Sequence, residues 1–219
     1  NFERGDLIGC RINISQEKSM KMKLLILILC TIYYCNGKVG MNANEAADGG
    51  RLPKNPNVGI DYKNKNLSEI WLAGGCFWGV EAYIARIPGV ADVTVGYANG
   101  KTEKPTYEDV CHRNTGHAEA VHVRYDPSRV SLNVLLEKFF KIIDPTVKNR
   151  QGNDVGVQYR TGVYYKNSSD LEIIKKIIFD EQKKYNKSIV TEALPLTHYF
   201  LAEEYHQDYL EKNPNGYCH

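Results

Sequence analysis

A thiol set between glycines, Gly74-Gly75-Cys76-Phe77-Trp78-Gly79, is the segment of this chain best suited to chemistry. The preceding Ile70-Trp71-Leu72-Ala73 is a short apolar run of strand type. Phe77, Val80, Ile84 and Ile87 recur at helical spacing, so Cys76 is expected in the first turn of a helix. There the unpaired backbone N–H groups and the helix dipole favour an anion. A thiol in such a place ionises more readily than a free cysteine, and the thiolate is the nucleophilic form. The glycines allow backbone to come close to the sulfur and to whatever it attacks. The alternative is a buried cysteine acting as a small hydrophobe.

Three polar clusters fall in or beside segments without apolar periodicity: Thr106-Tyr107-Glu108, Gly116-His117-Ala118-Glu119, and Gln151-Gly152-Asn153-Asp154 followed by Gln158-Tyr159-Arg160. Glu119 stands at the start of an alternating strand. Buried among apolar neighbours, its carboxyl would hold its proton toward neutrality and could act as a general acid. A solvated strand-end charge is the competing reading of Glu119.

The elements that must position these groups follow from the rest of the chain. Its 219 residues, 42% of them hydrophobic, suffice for one packed domain. With 28 basic against 26 acidic residues the formal charge is +2, too small a field to attract nucleic acid or an acidic membrane. Residues 37–67 lack an apolar period and read as a flexible lead-in, and the domain is expected over 68–219. Val90 to Tyr97 and Glu119 to Tyr125 alternate as half-buried strands, with a long loop between them. Ser131 caps a helix through Leu132, Leu135, Leu136, Phe139 and Ile143 that stops before Pro145. A loop over 148–158, a strand at Thr161–Tyr165, and a helix opened by the capping box Ser169-x-x-Glu172 follow. A short strand at Ile189–Glu192 and a last helix over Ala202–Lys212 complete the order. That order implies an α+β fold: a two-layer sandwich on a mixed sheet, with a split βαβ, ferredoxin-like core, extra helices and a long coil at the C-terminus.

Residues 1–67 are set apart from the domain. Met20-Lys21-Met22-Lys23 followed by the apolar run Leu24 to Tyr34 has the charged start and short hydrophobic core of a secretory signal peptide. Translation from Met20, cleavage between Cys35 and Asn42, and a place in the secretory pathway or outside the cell are the expectations, with a cytoplasmic location as the alternative. Cys10, Cys30 and Cys35 belong to this upstream part, which leaves Cys76, Cys111 and Cys218. An odd set of three argues for reactive thiols over a static disulfide framework.

The separated motifs Gly-Cys-Phe-Trp-Gly at 75–79, Gly-His-Ala-Glu at 116–119, Arg-Gln-Gly-Asn-Asp at 150–154, Gln-Tyr-Arg at 158–160 and Asn-Pro-x-Gly-Tyr-Cys at 213–218 resemble those of the A-type peptide methionine sulfoxide reductases. The resemblance covers about Ile70 to Cys218. It implies that Cys76 attacks the sulfur of methionine sulfoxide, S epimer, and that Glu119 protonates the leaving oxygen. It further implies that Tyr107 and Tyr159 hydrogen-bond that oxygen, that Phe77 and Trp78 wall the substrate methyl, and that Asp154 organises the polar side of the pocket. Cys218 is then the resolving thiol, which converts the Cys76 sulfenic acid to a disulfide. Cys111 reads as a structural thiol, with a backup resolving role as the alternative. The implied partners are oxidised proteins or peptides and thioredoxin or another dithiol, acting on a monomer without metal or organic cofactor.

Two other functions compete. Cys111, His112, His117, Glu119 and His122 fall close together and suggest a metal-binding module, although no paired ligand spacing is present. Cysteine before an aromatic at a helix start also suits a cysteine hydrolase, with His198 or His206 as its base.

Overall fold

The computed structural model describes residues 52–214 and Gly216. Cys218, the Met20 leader and the three upstream cysteines lie outside the described residues.

A six-stranded mixed sheet forms the centre of an α+β fold. Its first strand, β1 (Ser68–Gly74), is the apolar run ahead of the thiol, and Ile70 to Ala73 are all buried because neighbours cover both faces. The helix α1 (Phe77–Ile84) leads to β2 (Val90–Ala98), and β3 (Ala118–Tyr125) lies between β1 and β2, antiparallel to each. On the far side of β1 lies β6 (Thr161–Tyr165), antiparallel to it. β7 (Glu192–Pro195) joins β6 in parallel and β8 (Tyr199–Leu201) joins β2 antiparallel, giving the order β7-β6-β1-β3-β2-β8. Val95 pairs with Val121 and Tyr97 with Glu119, which fixes the acid beside a buried aromatic.

The main core joins Ile70, Leu72, Val95, Val121 and Val123 of the sheet to Phe77, Val80 and Ile84 of α1. It also takes in Leu135, Leu136 and Phe139 of α3 (Leu132–Phe139), and Ile174 and Ile177 of α4 (Asp170–Gln182). These are the positions that the helical spacing selects. Ser131 caps α3 by accepting the Val134 N–H at 3.4 Å. The helix ends at Phe139, and Ile143 is buried from the turns beyond it.

Other local expectations change. The segment 148–158, expected as a loop, holds the short strands Arg150–Gln151 and Asp154–Val155 and a 3₁₀ turn at Val157–Tyr159. A six-residue helix, α2 (Tyr107–His112), occupies what reads as loop; Thr106 and Asp109 bond each other's backbone N–H in a capping box, with Asp where Glu is usual. Ser169 does precede α4, but its side chain makes no cap, and its N–H is instead taken by Asn167 at 3.1 Å. The strand after α4 starts at Glu192 because Ile189 and Val190 give their N–H groups to Gln182 and to the Pro145 carbonyl. The last helix, expected over Ala202–Lys212, is instead a 3₁₀ turn (Glu204–His206) and the short α5 (Tyr209–Lys212), with Asp208 between them at a left-handed φ of 52°. Gln207 causes the break by bonding both the N–H and the C=O of Val95, at 2.9 and 3.0 Å, as a strand neighbour would.

Ahead of β1, Asn57 donates to the carbonyls of Ala85 and Ile87 and accepts the Gly89 N–H, so the residues before the sheet contact the turn after α1. Among the described residues no helix is long and apolar enough to cross a membrane.

Candidate active site

Cys76 is the residue that caps α1, one place before the first helical turn, with φ −58° and ψ 120°, and it is half-buried. Gly75 before it has φ +88°, and a Cβ there would lie 2.6 Å from the Gln151 Cβ. Both the backbone conformation and the close approach require glycine. Gln151 is held in turn by Asp144, accepting its N–H and donating to its C=O, each at 2.8 Å. The two-stranded hairpin of β4 (Arg150–Gln151) and β5 (Asp154–Val155) is thereby fixed beside the thiol.

Glu119 enters from β3. Only 1% exposed, its Oε2 accepts the Phe77 N–H at 3.0 Å, the first helical N–H after Cys76. Burial pushes its carboxyl up to about 8, against the lowering effect of the Phe77 bond and with a further push from Asp154. At neutral pH this side chain is therefore mostly the neutral acid, a proton donor bonded to the residue that follows Cys76.

Tyr107, first residue of α2, and Tyr159, from the 3₁₀ turn Val157–Tyr159, both lie within the field of Glu119. Burial, then that carboxyl, raises both phenols well above their ordinary range, so both hydroxyls stay protonated donors. Tyr159 also feels Cys76 and Asp154. The structure thus brings Cys76, Glu119, Tyr107, Tyr159 and Asp154 together from five separate elements. Cys111 joins them: its thiol shares a hydrogen bond with Tyr107, and burial pushes it up, partly offset by that bond.

Phe77 is buried in the core and Trp78 half-buried above it, ring centroids 6.4 Å apart. Trp78 stacks on Tyr209 at 3.7 Å and 13°, and its indole N–H donates to His206 Nδ1 at 3.1 Å. Cys76 also lines a groove of about 800 Å³ with Val80, Tyr83, Ile142 and Gln151. Glu119 and the two tyrosines are not among its walls, so Cys76 is the residue that the groove shares with the acid–thiol cluster.

A thiol at a helix start beside a buried neutral acid and two phenol donors suits transfer of an oxygen whose negative charge must be quenched as it leaves. The model of the family described as peptide methionine sulfoxide reductase matches residues 68–219. This chain belongs to that family. The peptide methionine sulfoxide reductase MsrA of Clostridium perfringens is 61% identical over 153 residues, 70% of this chain and 98% of its own. That of Alkaliphilus metalliredigens is 59% identical over 153 residues, 70% of this chain and 97% of its own. Among solved structures, methionine sulfoxide reductase A of Corynebacterium diphtheriae superposes with a TM-score of 0.69 at 36% identity, covering 77% of this chain and 86% of that one. Mxr1 from Saccharomyces cerevisiae in reduced form gives 0.68 at 39% identity, covering 75% and 96%. Family membership makes the chain an enzyme, a peptide methionine sulfoxide reductase.

Within this reductase the two competing sets are engaged elsewhere. His112 is exposed beside Glu108, and His117 is buried, bridging the Gly100 N–H and the Thr102 carbonyl. His122 pairs with Glu69 at 2.9 Å. Among the described residues no three His, Cys, Asp or Glu converge on a point that could hold a metal ion. His198 is exposed and stacked on Phe200, and His206 Nδ1 is taken by Trp78.

Sequence reasoning missed Glu203, which accepts the Tyr107 N–H at 2.9 Å and the Tyr97 hydroxyl at 2.7 Å, and so fixes the start of α2. The spacing over 202–212 predicts a continuous helix and carries no sign that Glu203 faces β2.

Proposed function

We propose that this reductase converts methionine S-sulfoxide, free or in peptides, to methionine, with Cys76 as nucleophile and Glu119 as general acid. The Cys76 thiolate attacks the sulfoxide sulfur while Glu119 delivers a proton to the oxygen. Tyr107 and Tyr159 donate to that oxygen as charge develops on it. Collapse transfers the oxygen to Cys76 as a sulfenic acid and releases methionine. The Cys218 thiol then attacks that sulfur, expelling water and leaving a Cys76–Cys218 disulfide, which thioredoxin or another dithiol reduces with two electrons and two protons. Phe77 and Trp78 form the apolar wall for the substrate methyl, and Asp154 the polar side. The observation that carries this reading is the buried Glu119 carboxyl, pushed up to about 8 and bonded to the N–H that follows the thiol.

The finer fold reading, a split βαβ core in a two-layer sandwich, is supported by the order β6-β1-β3-β2 and by the helices that share one core with the sheet. The Met20 leader supports secretion, which N-terminal sequencing of the mature protein tests; an intact Met20 would return the protein to the cytoplasm. The chemistry is tested by dithiothreitol-dependent reduction of a methionine sulfoxide peptide. Cys76→Ser is expected to give no turnover. Cys218→Ser is expected to release one equivalent of methionine in a burst and then cycle slowly. Undiminished activity in Cys76→Ser would overturn the assignment.

A further inference from the structure

His206 is a buried titratable group that the reaction above does not use. It is 2% exposed and sits among Phe77, Trp78, Tyr107 and Tyr205, with ring centroids 5.1, 5.6, 4.5 and 4.2 Å away. An indole N–H can only donate, so the 3.1 Å contact from Trp78 Nε1 makes His206 Nδ1 an acceptor and puts the imidazole proton on Nε2. Nε2 is itself buried and has no hydrogen-bond partner among the described residues. Burial lowers the basicity of the ring, which keeps it in this neutral, accepting form, against the pull of Glu203. An imidazole buried among rings, with Nε2 lacking a partner among the described residues, is held by one specific bond at Nδ1, whereas an apolar ring would fill the same space without a polar atom to satisfy.

We propose that His206 is a positioning residue that fixes the orientation of the Trp78 indole, and through it the shape of the wall that receives the substrate methyl. The inference rests on the reading of Trp78 as that wall. Two constraints set the ring. Tyr209 stacks on its face and leaves it free to turn in its own plane, whereas the His206 bond holds its edge. Both partners come from the segment 204–209. Gln207 ties that segment to β2 through the N–H and C=O of Val95, while the Asp208 N–H donates to Glu81 of α1 itself at 3.0 Å. The apolar wall is therefore referenced to the sheet through the C-terminal segment and not only through its own helix.

The test uses the full chain and two readouts. Trp71 and Trp78 are the two tryptophans of the sequence, so in a Trp71→Phe background the emission reports Trp78 alone. His206→Asn puts an amide oxygen near the Nδ1 position, while His206→Leu and His206→Gln leave the indole N–H without its acceptor. The Leu and Gln variants are expected to raise KM for a methionine sulfoxide peptide about fivefold or more, with kcat within about twofold, and to shift Trp78 emission. His206→Asn is expected to restore both. Unchanged KM and emission in the folded Leu or Gln variant would overturn the proposal, as would a His206→Asn enzyme as impaired as His206→Gln. In a Trp78→Phe background the His206 changes should add nothing to KM; an undiminished effect there means that His206 acts by another route. If Trp78→Phe itself leaves KM unchanged, the wall reading fails, while the emission shift still decides whether His206 orients the indole.

Discussion

Glu119 and Glu81 are two buried glutamates that do the same thing locally and differ in everything around it. Each lends a carboxylate from another element to the start of a helix: Glu119 accepts the Phe77 N–H at the head of α1, and Glu81 accepts the Asp208 N–H, with Tyr209 beside it, at the head of α5. Burial pushes both up, Glu119 to about 8 and Glu81 to about 7. Glu81 has two backbone donors and the pull of Lys212 to restrain it, against a push from the Asp208 carboxylate. Glu119 has one backbone donor, and Asp154 pushes it further. The remaining environment separates the roles. Glu119 bonds the residue that follows Cys76 and raises the phenols of Tyr107 and Tyr159, whereas Glu81 bonds the backbone that opens α5. A buried carboxyl becomes an acid catalyst where its protonated form faces a space that a reacting group can enter. Elsewhere the same desolvation only ties stability to pH.

The largest effect that separates the pair is on the chemical step. Glu119→Gln should lower kcat/KM by about 10²–10⁴, the usual worth of a positioned general acid, while Glu81→Gln should stay within a few-fold of wild type in the same peptide assay. The pH profile sharpens the contrast. Because Glu119 must carry its proton and its carboxyl lies at about 8, wild-type kcat/KM should fall roughly tenfold per pH unit above that value. Glu119→Gln should lack this alkaline limb, and a limb that persists in that variant would assign it to another group.

Glu203 supplies an intermediate case. It also holds a helix start, at Tyr107, but burial is there outweighed by the Tyr107 N–H and Tyr97 hydroxyl bonds, and its carboxyl is lowered. Glu203→Ala strands a buried phenol and is expected to cost about 1–3 kcal/mol in urea unfolding. Misplacement of Tyr107 should reduce kcat/KM on the order of tenfold.

The smallest effect is in stability against pH. Both raised glutamates bind a proton more tightly folded than unfolded. Their contribution is therefore fully present below the ordinary value of 4.5 and is lost as pH rises, through about 7 for Glu81 and about 8 for Glu119. Glu81→Gln keeps the acceptor and removes the ionisation. Its unfolding free energy relative to wild type should rise between pH 5 and 8 by about 1–3 kcal/mol. A difference that does not vary with pH would place the Glu81 titration elsewhere.

How much was legible in the chain follows the same division between local and distant causes. The strand before Cys76, the helix after it and the alternation of β2 and β3 are written in apolar spacing, because one buried face fixes the period. The helix α2 leaves no apolar signal although Thr106 and Asp109 spell its capping box, since a six-residue helix with one buried side chain, Val110, shows no period. The C-terminal segment reads as one continuous helix and is broken into a 3₁₀ turn and the short α5. Gln207, Glu203 and His206 bond β2, Tyr107 and Trp78, partners about 100 residues away in sequence or more, and those bonds outweigh helical propensity.

The sequence by itself determined that a cysteine would open a helix after a buried strand, and, through motifs spread over 75–218, which family the chain resembles. Which groups surround that cysteine was decided by tertiary structure: register sets Glu119 opposite Tyr97, the hairpin at 150–155 leans on Gly75, and the segment 203–209 closes on Trp78 and Tyr107. Apolar periodicity depends on neighbours a few residues apart and survives in one dimension. The proton affinity of a carboxyl depends on everything within several ångströms, and those neighbours meet only when the chain has folded.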